Sequence, residues 1–478
     1  MKFNEEYFNS KEFQELLDEY EASQKAGEQP FMDADDLVDI ADYYNMKAMD
    51  DEALEVIDFA LQLYPGATLP NVFMARKALL DEDYPQAREY AEQISDKDDP
   101  DYHYLVAEIM MAKGDINEAD HYLRDYGKTI DADDYQDFVK DCANLYIDYG
   151  IGDKAYQWMM RSHGDDSADF KELMSRILYE TGRYKEAERL FNQLLDSNPY
   201  DATYWKSLYA CQFMRKDYAN AITSIEYAMA INPDDPDGPL DKAHALFNQG
   251  NFEDALKFYK RYSTLEPDDP LGLLQQAICL LYQSDTKQAL QLLKQAEQMS
   301  LDDTERLAQI YREMAFCYST QKKPKKAIEM IDKAEQYITD SSELINMMVI
   351  RGHLYIENEM FNEALEIWKN AITLSGYAPS IMLRIIVSLY DNNMVAICYY
   401  LLDNLYKVME KEGTIFPEGY AYMALCCHDL GYREQFLKYL KLSLEHDPLE
   451  TKLVLGFLFP SETNTNDYYE YMTEHLDA

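Results

Sequence analysis

Few residues in this sequence have the types and spacing that catalysis or cofactor binding requires. Gly150 and Gly152 are separated by one residue, as in a dinucleotide-binding loop, but no third glycine follows and no strand pattern precedes them. The sequence also lacks the motifs of a phosphate-binding loop, a zinc protease and a serine-hydrolase nucleophile elbow. We therefore expect no enzymatic activity, no catalytic residue and no cofactor.

A regular spacing dominates the middle of the chain. Three prolines are 34 residues apart, and an alanine stands twelve residues before each of them. The prolines are Pro199, Pro233 and Pro267, and the alanines are Ala187, Ala221 and Ala255. Apolar residues around these alanines recur every three or four positions, which is typical of amphipathic helices. The period predicts an array of small units, each made of two helices joined by a short turn.

The turns and linkers of these units have signals of their own. Gly182 and Gly250 stand in the predicted turns, where a residue that tolerates positive φ ends the first helix. Each proline ends the second helix and begins the linker to the next unit. The linkers are rich in aspartate, as at Asp98 and Asp99, and we expect such residues to cap the helix that follows.

These units resemble the tetratricopeptide repeat, whose pattern places Trp, Leu-Gly, Tyr, Ala, Phe, Ala and Pro at set positions of 34 residues. The clearest copy starts near Ala202 and contains Trp205, Leu208, Tyr218, Ala221, Ala228 and Pro233. Another starts near Ala34 and contains Ala41, Tyr44, Ala53, Ala60 and Pro65. A third starts near Pro417 and contains Ala424, Gly431, Ser443 and Pro448. The resemblance implies an all-α fold, a right-handed superhelical α-solenoid of helix-turn-helix repeats.

By this period the chain contains about eleven or twelve units. The marker alanines of the units are Ala53, Ala87, Ala119, Ala155, Ala187, Ala221, Ala255, Ala289, Ala327 and Ala364. The unit around Ala396 is degenerate, and Phe436 stands where the last unit should have its alanine. We expect an N-terminal capping helix region at 1–33, the tandem array at 34–448, and a C-terminal cap with an acidic tail at 449–478.

The charge of the chain argues against several classes of partner. Its 478 residues include 89 acidic and 44 basic side chains, for a formal net charge of −45. Such a field repels nucleic acid and anionic membranes and favours a basic partner, although the acids also serve to keep a long array in solution. No apolar run is long enough for a membrane span or a secretory signal, so we expect a cytoplasmic protein.

Cysteines and histidines are spread along the repeats instead of forming clusters. The tenth place of four units, which faces the neighbouring helix, holds Cys211, Cys279, Cys317 and Cys426. We expect these to be small core residues without disulfide bonds. His244 and His353 share a place in their units but are three repeats apart, so they cannot bind one metal ion, and we expect no metal site.

The resemblance also implies a binding surface, because in this family the first helices of successive units line a concave groove. Residues at the groove positions change from acidic in the N-terminal units to mixed aromatic in the middle units. The partner-binding residues predicted in this way are Arg176, Tyr179, Phe213, His244, Phe247, Tyr282 and Arg312. The alternative is that Phe213, Phe247 and Leu281 pack against neighbouring repeats.

One subtype of the family clamps a C-terminal carboxylate with lysine, arginine and asparagine residues of three units. Lys140 and Asn144 match the residues that the first of these units requires. Leu173, Thr203 and Ser207 stand where asparagine, lysine and arginine are needed, so we do not expect this clamp.

The predicted function is that of a protein–protein interaction scaffold or adaptor, which binds a protein or peptide along the groove. One alternative is an acidic, chaperone-like binder of basic proteins. Another is a structural subunit that self-associates through its ends, and the 457–459 segment is a candidate contact for a partner or a second copy. The pattern leaves the oligomeric state open.

Overall fold

A computed structural model of the protein describes residues 5–27, 29–162, 164–414, 416–460 and 463–475. All regular secondary structure among these residues is helical and none of it is a β-strand, which confirms the predicted all-α class. The chain divides into two compact units, Met1–Ile231 and Asn232–Ala478.

The first unit has an N-terminal pair of helices followed by a series of helix hairpins. Its helices are α1 (Glu5–Phe8), α2 (Lys11–Ala26), α3 (Ala34–Met46), α4 (Asp50–Leu63), α5 (Thr68–Leu80), α6 (Tyr84–Gln93), α7 (Pro100–Ala112), α8 (Ile116–Tyr126), α9 (Tyr135–Asp148), α10 (Gly152–Met159), α11 (Ala168–Glu180), α12 (Tyr184–Ser197), α13 (Ala202–Met214) and α14 (Tyr218–Ile231). Helices α3 to α14 pair as consecutive hairpins, and the first helices α3, α5, α7, α9 and α11 contact one another in order.

The second unit continues the same arrangement and ends in shorter elements. Its helices are α15 (Asp237–Asn248), α16 (Phe252–Leu265), α17 (Leu271–Tyr282), α18 (Thr286–Met299), α19 (Thr304–Thr320), α20 (Pro324–Glu335), α21 (Ser341–Glu357), α22 (Phe361–Leu374), α23 (Pro379–Asp391), α24 (Val395–Lys411), α25 (Tyr420–Asp429), α26 (Arg433–His446), α27 (Pro448–Leu455) and α28 (Tyr468–His475). Two 3₁₀ turns, Gly456–Leu458 and Thr465–Asp467, lie between α27 and α28. Helices α15 to α26 pair as hairpins.

Aspartates in the linkers fix the starts of many helices. The Asp99 carboxylate accepts the backbone N–H of Asp101 at 2.9 Å and caps α7. Asp201 caps α13 and Asp340 caps α21 in the same way. Each such cap satisfies a backbone donor that the helix leaves free and contributes about 1 kcal/mol. The capping role predicted for the linker acids is confirmed at Asp99.

Every hairpin turn places one residue in the left-handed helical region. The residues in this position are Ala48, Glu82, Gly114, Gly150, Gly182, Lys216, Gly250, Ser284, Lys322, Glu359, Asn393 and Gly431. The prediction for Gly182 and Gly250 is confirmed, since φ is 74° and 85° there. The hairpin turn requires this conformation whichever residue stands there, since Lys216 adopts it with φ 60° despite the steric cost.

The marker alanines hold one structural place throughout. Each is the fourth residue of the second helix of its hairpin, and each has an exposed fraction of 0%. A side chain of this size allows the paired helices to approach closely, since a larger one would separate their axes.

The structure locates the marker of the degenerate unit at a cysteine. Helix α24 begins at Val395, so Ala396 is its exposed second residue, whereas Cys398 is its fourth and is fully buried. Cys398 follows Ala364 by 34 residues, so the spacing in the sequence already indicated it. Phe436 holds the same place in α26 and is also buried.

The four cysteines predicted to lie in the core are all fully buried and free. Cys426 also meets the marker of the preceding hairpin, because its Sγ atom lies 3.4 Å from that of Cys398. Both thiols therefore act as small core groups at adjoining helices.

Polar side chains connect the first helices of neighbouring hairpins. The Tyr104 hydroxyl on α7 donates to Asp141 Oδ2 on α9 at 3.0 Å. The Tyr390 hydroxyl on α23 donates to Asp429 Oδ2 on α25 at 2.6 Å. Such pairs fix how far one hairpin is shifted along the next, because the hydrogen bond forms at a single register.

The N-terminal helices cover the first hairpin. Phe8 and Phe13 are buried with their ring centroids 4.8 Å apart, and Phe13 lies 5.3 Å from Tyr43 of α3. The Tyr7 hydroxyl donates to Asp39 of the same helix at 2.6 Å. The boundaries of the array at residues 34 and 448 stay predictions.

We expect Ala221→Leu to destabilise the protein, because a fully buried place has no room for three more carbons. Overpacking of this kind costs about 1–3 kcal/mol. Ala219→Leu is the matched control, since Ala219 lies on the same helix and is exposed. The urea midpoint of unfolding should fall for Ala221→Leu alone, and equal midpoints for the two variants would contradict the role of the marker place.

The left-handed turns predict opposite effects of two substitutions. Lys216→Gly should raise the urea midpoint of unfolding, because glycine adopts positive φ without steric cost. Part of this gain is offset, because glycine also makes the unfolded chain more flexible. Gly250→Ala should lower the midpoint, by about 1 kcal/mol in free energy of unfolding. A decrease for both variants would show that factors other than φ dominate at the turn.

Candidate functional site

The predicted contact residues all lie on first helices of hairpins. In the first unit Arg176 and Tyr179 belong to α11, and Phe213 belongs to α13. In the second unit the residues are His244 and Phe247 on α15, Tyr282 on α17 and Arg312 on α19. Each unit thus has its own set, and the two sets are described separately.

The residues of the first unit are partly engaged by neighbouring side chains. Arg176 Nη2 lies 3.2 Å from Asp148 Oδ1, in an ion pair that leaves the arginine 44% exposed. Tyr179 is half-buried and meets Tyr184 edge to face at 5.4 Å between centroids. These contacts hold both side chains in defined orientations.

Phe213 is half-buried between two tyrosine rings. Its centroid lies 5.6 Å from that of Tyr209 and 5.5 Å from that of Tyr218. Both tyrosines belong to its own hairpin, α13–α14, so these contacts are not the packing against a neighbouring repeat that the sequence left as the alternative, and part of the ring is accessible.

Three aromatic rings of the second unit form a group, here called the aromatic cluster: Phe247, Phe252 and Tyr282. Phe247 meets both other rings edge to face, with centroids 5.2 Å apart in each pair, and Tyr282 stacks on Phe252 at 4.5 Å. Tyr282 is 62% exposed, whereas the two phenylalanines are half-buried. The cluster offers a rigid apolar surface whose outermost member is Tyr282.

Sequence reasoning selected Phe247 and Tyr282 but not Phe252, which joins them. Phe252 stands three residues before the marker alanine Ala255, a position that in the sequence indicates only packing within the hairpin. Phe252 packs against Phe247 of its own hairpin and also stacks on Tyr282. The repeat pattern accounts for the first contact and does not indicate the second.

His244 is half-buried and faces Tyr259, with the ring centroids 5.6 Å apart in an edge-to-face arrangement. Burial lowers the pKa of this histidine below its ordinary value. His244 is therefore neutral at physiological pH and offers a hydrogen-bonding edge without a charge.

Arg312 carries ion pairs on two sides. Its Nε atom donates to Glu313 Oε1 at 3.2 Å, and its Nη1 atom lies 3.8 Å from Glu343 Oε1 on α21. The second distance is too long for a hydrogen bond, so several N–H donors of this guanidinium remain available.

The first helix of the first hairpin carries a row of aspartates, of which Asp42 is half-buried. Burial raises the pKa of Asp42 to about 6, and the nearby charge of Asp39 contributes. Asp42 is therefore ionised at pH 7 only at a cost to the folded state.

Asp42→Asn should raise the free energy of unfolding at pH 7. The folded state keeps the Asp42 proton up to about pH 6, whereas the unfolded chain releases it near pH 4, so stability is lost between these values as the pH rises. The gain in the variant should disappear near pH 4. Chemical denaturation from pH 4 to 8 measures the difference in free energy of unfolding between the wild type and Asp42→Asn. Asp58→Asn is the control, because Asp58 is exposed. A stability gain that does not depend on pH would contradict the ionisation argument.

Other kinds of site find no support in the part of the chain that the structure describes. Its His, Cys, Asp and Glu side chains form no group of three or more that could hold a metal ion. None of the described helices is long and apolar enough to cross a bilayer. Gly150 lies in the α9–α10 turn with φ 69°, as the repeat requires.

Comparison with family models identifies the hairpins. Two models described as tetratricopeptide repeat match residues 173–236 and 212–278, which extend from α11 to α17. Residues 173–278 are therefore tetratricopeptide repeats. Tetratricopeptide repeats support a general role as a protein-interaction scaffold. No curated protein sequence matches the chain.

Several solved structures are modestly similar to this chain. Yeast Tom70 is 14% identical with a TM-score of 0.42, over 93% of this chain and 97% of that one. A tetratricopeptide repeat protein from Parabacteroides merdae is 14% identical with a TM-score of 0.40, over 56% and 98%. A chain of the APC/C hetero-tetramer Cut9–Hcn1 is 13% identical with a TM-score of 0.37, over 82% and 89%.

Proposed function

We propose that the protein is a scaffold or adaptor that binds a protein or peptide on the first helices of its repeats. The observation that carries this proposal is the aromatic cluster, which presents the 62% exposed ring of Tyr282 on two half-buried phenylalanines. Contact residues in the first unit are Arg176, Tyr179 and Phe213, and those in the second are His244, Phe247, Tyr282 and Arg312.

The cluster has the properties of an interface anchor. Aromatic residues supply large contact areas, and interface hot spots are enriched in tyrosine and arginine. Ring contacts already hold Tyr282 and Phe247, so binding immobilises little that was free before. A partner side chain that covers Tyr282 would also contact the edge or the face of its ring, and this contact favours particular orientations of the partner.

A second candidate function rests on the charge. An acidic binder of basic proteins would use the net charge of −45 as a whole and would need no particular aromatic ring. Its complexes should dissociate at moderate salt, because exposed charges more than about 8–10 Å apart are screened there. Complexes that persist in high salt would exclude this function.

Self-association through the chain ends is a third candidate. Phe457 is 72% exposed and Leu453 is 78% exposed near the C-terminal end, whereas Phe459 is buried and stacks on Tyr468 at 3.6 Å. Light scattering that shows a monomer at all concentrations would exclude this candidate.

The central test combines Phe247→Ala with Tyr282→Ala. Proteins that co-purify with the wild type should be recovered at least about tenfold less with this double variant, because hot-spot truncations cost 2 kcal/mol or more. Tyr400→Ala is the matched control, since Tyr400 is 64% exposed but lies on the second helix α24. Circular dichroism of all variants confirms that they are folded.

A parallel arm replaces Phe213 by alanine to test the first unit by itself. If the recovered proteins and their amounts are the same for the wild type, the double variant and Phe213→Ala, the proposed sites are wrong. If Tyr400→Ala reduces the recovery of co-purifying proteins as much as the double variant does, the effect is a general one of removing surface tyrosines.

A further inference from the structure

Helix α24 departs from a pattern that the second helices of all the other hairpins follow. In those eleven helices, charged or polar residues occupy both the place before the marker and the second place after it. Helix α24 has Ile397 and Tyr400 at these two places, on either side of its marker Cys398. Ile397 is 51% exposed and Tyr400 is 64% exposed, so the departure lies on the outside of the hairpin.

The apolar character continues along the same side of α24. Residues 395–402 include no charged side chain, and a helix that is apolar all round is normally buried. Ile397, Tyr400, Asn404 and Val408 follow one another at intervals of three and four residues, so they form one stripe along the helix. Asn404 is half-buried and Val408 is exposed. These four residues, here called the α24 stripe, form a surface that the described residues leave largely uncovered.

The part of the chain that carries the α24 stripe is nearly neutral. Residues 395–455, from α24 to α27, include nine acidic and six basic side chains, for a net charge of −3. The other residues carry the remaining −42 of the net charge of −45. Two copies of so acidic a chain repel each other, and the repulsion is smallest where their neutral parts meet. A basic partner, in contrast, is attracted more strongly to the acidic parts.

The second helices on the two sides of α24 carry opposite charges at equivalent places. Leu401 of α24 packs against the core of the α22 hairpin, and Tyr399 lies 5.2 Å from Tyr432 at the start of α26. Two places after the marker, α22 has Glu366 and α26 has Lys438, and both are exposed. A two-fold axis parallel to α24 would therefore place Glu366 of each copy opposite Lys438 of the other, in two identical ion pairs.

The same axis makes the α24 stripe complementary to itself. Ile397 and Tyr400 of one copy would meet the same residues of the other, and aromatic rings in contact supply a large apolar area. Asn404 would meet the Asn404 of the other copy. Because an amide has both a donor and an acceptor, the two side chains can satisfy each other. A single asparagine between two parallel helices also fixes their register.

We propose that the α24 stripe is a dimerisation surface, on which two copies of this chain pack their α24 helices in parallel about a two-fold axis. A second copy is the occupant because the stripe and the charges that flank it are complementary to themselves under this one operation. The proposal goes beyond the scaffold function and uses none of its contact residues. It also differs from self-association through the chain ends. The dimer would carry two sets of partner-binding first helices.

Sedimentation velocity of the full chain over a range of concentrations measures the dimer. The mass of the wild type should approach twice that of one chain as the concentration rises. Tyr400→Glu should weaken dimerisation at least about tenfold, because two like charges would meet between the helices. Thr223→Glu is the matched control, since Thr223 is exposed and holds the same place in α14. A wild type that stays monomeric, or equal dimerisation of the two variants, would overturn the proposal.

An exchange of charges tests the orientation of the two copies. Glu366→Lys alone and Lys438→Glu alone should each weaken the dimer at least about fivefold, because each turns two attractive pairs into repulsive ones. One substitution lowers the net negative charge and the other raises it, so a shared weakening has no origin in net charge. The variant with both substitutions should return to within about threefold of the wild type. A double variant as weak as the single ones would contradict the parallel arrangement.

Two further variants separate the α24 stripe from the other surfaces. Phe457→Glu should leave the dimer unchanged, and its loss in this variant would assign self-association to the chain end and overturn the proposal. Phe247→Ala with Tyr282→Ala should lose protein partners and stay dimeric, whereas Tyr400→Glu should become monomeric and keep them. If the aromatic double variant loses its partners while the wild type is a monomer, the scaffold function stands and the dimer fails. If the dimer forms as expected but the aromatic variants keep their partners, the reverse holds.

Discussion

The close approach of the two helices of each hairpin is the constraint on which the other features depend. One place in the second helix is fully buried in every hairpin, and it holds alanine in ten of them and cysteine at Cys398. A small side chain there keeps the helix axes close, and a short turn with one left-handed residue is then enough to join them. Phe436 departs from the rule in the last hairpin, where its core includes the smaller Ala424 and Cys427.

Acidic residues have a larger structural role than the net charge suggests. Aspartates cap helices, and others connect elements across the repeats. Asp120 is buried, receives the indole N–H of Trp158 at 3.1 Å and pairs with Lys154 at 2.9 Å. Arg76 donates to buried Glu108 at 3.0 Å. Removing one partner of such a buried pair leaves an uncompensated charge, which is strongly destabilising. Part of the acidity therefore belongs to the fold, and the charge alone is weak evidence for a basic partner.

The candidate contact residues share one property: part of each side chain packs against neighbouring residues, and the rest is exposed to solvent. Phe247 supports Tyr282 while it packs against Phe252, and Phe213 lies between two tyrosines. The choice between core and interface, which the sequence posed as alternatives, has no single answer for such residues. A surface held in this way is rigid before a partner arrives, which limits the entropy lost on binding.

The sequence by itself determined the helical class, the 34-residue period, the marker alanines, the turn glycines and the capping aspartates. These depend on contacts within one hairpin, so spacing along the chain reports them directly. Only the tertiary structure decided that Cys398 meets Cys426 and that Phe252 completes the aromatic cluster. These contacts join different hairpins or second and first helices, and their distances follow from how the hairpins stack, which a local pattern of residues does not encode.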